Sequence, residues 1–560
     1  MGLLDPTPPP YDPLAWVKAS LDERGRQVCA AWALQGYGTP LGVYAFYALK
    51  LGLYVGGWLL CCRTSPSLGG LSTIGAWWLS PLAFEKAIIW SLTFEVLGFG
   101  CGSGPLTGRY LPPIGGFLYF LRPGTTKLPP WPRLPAIVVG GTRRTIVDVL
   151  LYAALVAAAG RALVSPTLSA HALWPIAVLV PLIGLRDKTI FLAARAEHYW
   201  VTIVALAYAT NVIAAAKAVQ LALWFWAGFS KLNHHFPTVV CVMTSNGPFT
   251  RSAWLRRRMY RDYPRDLRPS TLATVVAHAG TALEMGVPIA FLSTPLGTPP
   301  VVALVMMLAL HGYITSSVPM GVPLEWNVMM VYGGFALFWA HPDVSLLSLG
   351  PPPLVAFLMM TLVIIPLAGN IWPARVSFLL AMRYYAGNWP YSIWLFRGES
   401  YRKLDRLTTS AAWVYDQLAR VYSRATAVGL VGMVFGFRMM HLHGRALPHL
   451  VPRAVDALPD YEWLDGEIVA GLALGWNFGD GHLHNEQLLS ALQAQCRFEP
   501  GELRCIFVEP EPLLSRTLAW RIADAAGGPI AHGELAVDDL RAMQPWTTAT
   551  TAAPAAKGTT

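Results

Sequence analysis

The sequence predicts an all-α polytopic membrane protein of about ten spans, carrying a small C-terminal α+β domain on its cytoplasmic side. Three observations predict it. Of 560 residues, 54% are hydrophobic and 13% charged, and that charged share is about half the usual value for a soluble domain. This excludes disordered, collagen-like and ordinary soluble-enzyme readings. Apolar windows near the roughly 20 residues needed to cross a bilayer core recur along the chain. Beyond about Arg438 the composition shifts to that of a small soluble fold.

Taken in order, residues 1–40 hold Asp5, Asp12, Asp22, Glu23 and a proline run from Pro6 to Pro10, and read as a cytoplasmic segment without a signal peptide. Windows at 41–60, 80–99, 146–165 and 171–185 make an N-terminal set of transmembrane helices over 41–185. A second set fills 186–375. There the stretch 189–230 is too long for one span and divides near Asn211, and further windows follow at 271–292, 301–318, 326–341 and 353–373.

Loop charges assign the sides. Arg109, Arg122, Lys127, Arg133, Arg143 and Arg144 place one loop inside. Arg186, Lys188 and Arg195 place the next, and Arg251, Arg256, Arg257, Arg258, Arg261, Arg265 and Arg268 a third. The turns 293–300 and 341–352 carry no Lys or Arg and lie outside, and Arg375 and Arg383 return the chain. Both termini are then cytoplasmic, and the membrane is the plasma membrane.

Within the connector 376–440, Ala425 to Phe437 is apolar but too short to span and reads as a re-entrant or interfacial helix. Residues 441–546 read as the α+β domain, with a helix at Leu483 to Gln495, a strand at Glu502 to Glu509, another element at Arg516 to Ala525 and a turn at Gly527-Gly528. The tail 547–560 has too few apolar groups to fold. The net charge of +10 sits in arginine runs beside spans, so it marks lipid headgroups and topology rather than nucleic acid. Seven cysteines without a Cys-x-x-Cys read as free thiols.

Ionisable residues inside spans are the candidates for chemistry: Lys50, Glu85, Lys86, Glu95, Lys217, Lys231, His278, Glu284 and His311. For the first four, pairing or snorkelling is the simpler reading. Lys231, His278, Glu284 and His311 come from three consecutive apolar segments and suit proton transfer. Elsewhere, Gly98, Gly100, Gly102 and Gly104 read as a tight turn, since no strand precedes them and no Lys-Ser/Thr follows. His441-x-His443 and His482-x-His484, near Asp480 and Glu486, have metal-ligand side chains but no third ligand; no metal is expected.

The segment Ala227-Gly228-Phe229-Ser230-Lys231-Leu232 resembles the Ala-Gly-x-x-Lys-Leu signature of the vitamin K-dependent gamma-carboxylase superfamily, whose bacterial members are the horizontally transferred transmembrane domain proteins. His278 to Glu284 is similar to that family's His-x-x-x-x-x-acid helix, and His311 followed by Met320-Gly321 to its His and later Gly. The resemblance covers about residues 186–340. It implies a lysine base in a dry pocket, Lys231, with a reduced quinone as cofactor or substrate. The family's His-x-x-Asn is here His311-Gly-Tyr-Ile314, and its Asn-His pair is Asp187-Lys188, which argues against carboxylation itself. Over nearly its full length, through Gly100 to Pro105, Arg122 to Lys127 and the 475–484 run Gly-Trp-Asn-Phe-Gly-Asp-Gly-His-Leu-His, the chain also resembles an actinobacterial family of transmembrane proteins of unknown function.

Two functions are expected from these readings. One is a membrane enzyme acting on a lipid-soluble or quinone-type substrate, with Lys231 as base, His278 and His311 as proton relays and Glu284 as orienter. The other is a non-catalytic lipid-handling or scaffold protein whose C-terminal domain binds a protein partner. Both require contact with the lipid bilayer, and neither involves nucleic acid.

Overall fold

The computed structural model describes residues 3–100, 115–318, 324–376, 387–408, 411–475 and 481–546. Cys101 to Gly104, Arg109, Met320-Gly321, Arg383, Asp480 and the tail from Thr547 lie outside them.

A helix occupies each apolar window, but the windows differ in length. Leu41–Cys62, Ile146–Val164, Val212–Phe229, Thr271–Ser293 and Pro352–Ile371 are long and apolar enough to cross a membrane. A sixth crossing arises if Arg424–Met440 and His443–Ala454, bent by 111° at their junction, form one broken element. The others are shorter: Pro81–Val96, Ala170–Arg186, Glu197–Tyr208, Val301–Thr315 and Leu324–Gly333. A helix rises about 1.5 Å per residue, so these are short of a bilayer core of about 30 Å. Among the described residues, length and composition thus support five or six crossings, where the windows predict about ten.

Local chemistry sets several boundaries. The long stretch breaks just before Asn211, whose Oδ1 accepts from the backbone N–H groups of Ile213 and Ala214 and caps the Val212–Phe229 helix. Thr145 and Asp148 form a reciprocal capping box at the start of Ile146–Val164. Two of the basic residues that mark the 122–144 loop by charge are buried in ion pairs. Lys127 Nζ lies 2.8 Å from Asp148, which also binds Arg186 at 2.5 Å, and Arg144 binds Asp187.

After the last long helix the chain builds a five-stranded antiparallel sheet from β3 (Tyr391–Arg397), β4 (Tyr461–Asp465), β5 (Leu503–Val508), β6 (Thr517–Asp524) and β7 (Gly528–Ala536), in the order β4-β3-β5-β6-β7. Two shorter strands, β1 (Tyr260–Asp262) and β2 (Asp266–Pro269), make a separate hairpin in the arginine-rich loop. The strand second from one edge, β3, comes from the stretch read as a connector. It is buried on both faces except at Arg397, which explains why its side chains, Ser392 aside, are apolar up to that end.

The Arg424–Met440 helix is buried along most of its length and packs against Leu21–Gln35. Glycines permit that approach: a Cβ on Gly436 would lie 2.9 Å from Val28 Cγ2, and one on Gly432 3.0 Å from Trp16. Arg438 on the same helix forks onto Asp465 at 2.5 and 3.0 Å and also binds Glu467, so its buried charge is compensated.

The sheet region and the apolar helices share one core, which holds Leu92 and Ile176 beside Leu488 and Phe507. Hydrogen bonds cross the same boundary, from Tyr119 Oη to Leu472 O at 2.9 Å, Lys188 Nζ to His482 O at 2.9 Å and Gln487 Nε2 to Pro129 O at 2.6 Å.

Candidate functional site

Lys231 sits in the turn that ends the Val212–Phe229 helix. One turn earlier Gly228 touches the Thr271–Ser293 helix so closely that a Cβ there would lie 3.0 Å from the Met285 nitrogen. That contact brings Glu284 to Lys231, and the two form an ion pair with side chains only 11% and 6% exposed. Lys231 Nζ also lies 5.3 Å from the centre of the Phe236 ring. Each of the two buried charges thus has the other as its compensating partner.

His278 does not join this pair. Six positions separate it from Glu284, about 240° around a helix. Glu284 is buried with Ala277 and Thr281, whereas His278 is on the exposed face.

His311 is buried, within electrostatic reach of the Lys231–Glu284 pair. Trp224 Nε1 donates to His311 Nε2 at 2.9 Å. An indole can only donate, so Nε2 carries the lone pair and the ring proton is on Nδ1. Nδ1 faces Asn327 Oδ1 at 2.7 Å. The imidazole is thus neutral, with both nitrogens engaged. Asn327 comes from a different helix, sixteen residues on from His311.

His311 and Asn327 stand in the wall of a 650 Å³ cavity whose surface is otherwise dominated by Tyr54, Trp58, Trp78, Trp90, Tyr332 and Phe335. Val55, Leu308 and Phe249 line it and are also exposed, so it opens onto the outer surface of the helices. Its volume falls in the range of small-molecule sites, and its walls have their usual character, mostly apolar with a few fixed polar groups. Lys231 and Glu284 do not line it.

The remaining buried lysines act as structural ties. Lys50 lies 3.2 Å from Glu325, near the fully buried Glu95. Lys86 donates to the carbonyls of Cys61 and Leu163 at 2.8 and 2.9 Å, closing the ends of two helices where a cation meets the negative end of the helix dipole. Lys217 holds the carbonyls of His341 and Val344.

The two histidine pairs do not converge. His443 Nε2 faces Glu511 at 3.6 Å and His482 Nε2 faces Glu509 at 3.5 Å, while His441 bonds the Phe437 carbonyl and His484 the Ser392 hydroxyl. Among the described residues no three His, Cys, Asp or Glu side chains are placed to hold a metal ion. Glu511 also binds His234 at 2.7 Å. Burial raises its carboxyl, but His443 and His234 outweigh that and hold it below the ordinary range. His234 and Glu511, like Trp224, escape a reading of the sequence because their partners are distant along the chain, and Asn327 because its bond to His311 joins two different helices.

No curated protein and no solved structure matches the chain. The family described as transmembrane protein of unknown function (DUF3556) matches residues 1–557, and the chain belongs to it.

Proposed function

We propose that this membrane protein takes a lipid-soluble molecule into the cavity beside His311. The observation that carries this is the cavity itself: 650 Å³, walled by aromatic side chains, open at Val55 and Leu308, with the His311–Asn327 pair fixed in its wall. A quinone-type ring or an acyl chain matches such walls, and the bilayer delivers both. In this reading the shorter helices complete the ten-element topology, and both termini lie on the cytoplasmic side of the plasma membrane, as the arginine-rich loops favour. The sheet region offers the face for a protein partner.

A second reading, catalysis, is favoured by one arrangement: the Lys231–Glu284 ion pair lies within electrostatic reach of His311. Here Lys231 acts as a base after passing its proton to Glu284, and His311, with both nitrogens engaged, fixes the neighbouring wall. It is the reading that keeps the gamma-carboxylase resemblance. His278, on the outer face, has no part in it.

Mass spectrometry of lipids and quinones that co-purify with the protein in mild detergent tests the binding reading. A species enriched over the bulk membrane lipid is the expected result, and a bound fraction with bulk composition overturns it.

A further inference from the structure

We infer that the molecule held in the cavity is an amphiphile with a single apolar chain and an anionic head, the chain in the cavity and the head on Arg251. The inference rests on the reading of the cavity as a lipid site. The cavity interior has no place for a charge. Both nitrogens of His311 are engaged by Trp224 and Asn327, Lys50 is held by Glu325, and a charged head without partners in an apolar site is strongly disfavoured. The head must therefore lie at the mouth.

At the mouth, Phe249 and Ser316 line the cavity, and Phe249 is 80% exposed. The loop that carries Phe249 is fixed by the buried Arg256, which donates to the carbonyls of Thr250 at 2.7 Å and Gly247 at 3.0 Å. Gly247 in turn packs on the Ser316 carbonyl. Two residues beyond Phe249, Arg251 is exposed and lies within electrostatic reach of Tyr44, which packs against the cluster of Val318 and the cavity-lining Leu324. Among the described residues no carboxylate pairs with Arg251, Arg257, Arg258 or Arg261. The two nearby aspartates, Asp262 and Asp266, pair with Arg265 and Arg268. Exposed Trp254, covered by Arg258 at 4.5 Å, extends the same basic and aromatic rim. Arg251 does not line the cavity, and its Nε donates to the Pro248 carbonyl at 2.9 Å. A guanidinium with no carboxylate partner two residues beyond the mouth residue Phe249 nevertheless favours a carboxylate or phosphate head, and 650 Å³ suits one small ligand.

Binding of dibromostearate and of the matching dibromostearyl alcohol to the full chain, in nanodiscs of phosphatidylcholine, tests this through quenching of Trp58, Trp78 and Trp90. The quenching in Gly312→Phe, whose new side chain fills the cavity, is subtracted as background. The stearate is expected to bind about tenfold more tightly than the alcohol. Arg251→Gln is expected to abolish that difference while leaving binding of the alcohol unchanged. Displacement by a lysophosphatidate but not by a two-chain phosphatidylglycerol extends the head to phosphates and keeps the chain single; displacement by phosphatidylglycerol overturns the single-chain assignment. Equal affinity for acid and alcohol, or an unaltered preference in Arg251→Gln, overturns the anionic head. Quenching by neither probe refutes the cavity reading itself, a separate outcome.

Discussion

At the scale of single residues, the ion pair at Lys231 makes opposite forecasts for two substitutions. Lys231→Met strands the buried Glu284 carboxylate, and removing one partner of such a pair destabilises by about 3–5 kcal/mol. Lys231→Arg keeps a cation beside Glu284 and is expected to hold the melting temperature in detergent within a few degrees of the parent. Adding Glu284→Gln to Lys231→Met should restore most of the loss. If Lys231→Arg also abolishes complementation of a deletion at normal membrane levels, the catalytic reading gains, because guanidinium stays protonated.

A second residue-scale forecast concerns Glu509. Burial raises its carboxyl, but His482 and Arg521 outweigh that and hold it down to about 2 from the ordinary 4.5. A depressed folded-state value gives stabilisation that is complete above about pH 4.5 and lost as pH falls toward 2. Thermal melts followed downward through that window should fall less steeply in Arg521→Gln than in the parent. Parallel slopes would remove Glu509 as a source of acid sensitivity.

At the scale of elements, the helices were legible in the sequence and several of their partners were not. The break at Asn211 follows from the length limit on a span and from a capping side chain, both local. The strand Tyr391–Arg397 is seven apolar-rich residues whose neighbours in the sheet lie some 70 and 110 positions later, and such pairing leaves no local trace. Arg424–Met440 shows its apolarity in sequence, but its partner Leu21–Gln35 is charged at one end and its apolar run, Val28 to Leu34, is short. The glycines reveal the contact only in three dimensions. Gly436→Leu is expected to lower stability by about 1–3 kcal/mol through overpacking against Val28, whereas the same change at Gly52, whose Cβ would meet nothing within 4 Å, should be near neutral in a melt. For the candidate site, sequence order drew attention to Lys231 and Glu284, and the fold pairs them. It erred on His278, because a six-residue spacing turns a helix face away, and it missed Asn327, whose bond to His311 spans a turn between helices.

At the scale of the whole molecule, the shared core makes the C-terminal region part of one body with the apolar helices. A fragment beginning at Leu442 lacks β3, which pairs with both β4 and β5. Far-ultraviolet circular dichroism of residues 442–546 should show a largely unfolded chain, while a cooperative fold with native strand content would contradict the shared-core account. Sidedness has its own check. Thr298 and Arg257 are both exposed, so cysteine labelling at either reports topology rather than burial. A membrane-impermeant reagent applied from outside is expected to reach a cysteine at position 298, in a turn without basic residues, and to miss one at position 257, in a loop with seven.

The central claim is that the cavity beside His311 holds a lipid-soluble molecule, and filling the cavity tests it most directly. Gly312 lines the cavity, and a Cβ placed on it meets no atom within 4 Å, so Gly312→Phe occupies the space without displacing backbone. Parent and variant, purified side by side and matched in melting temperature and yield, are compared by mass spectrometry of bound lipids and quinones. The account predicts a species enriched in the parent and lost from Gly312→Phe; the same bound species in the same amount in both proteins would contradict it.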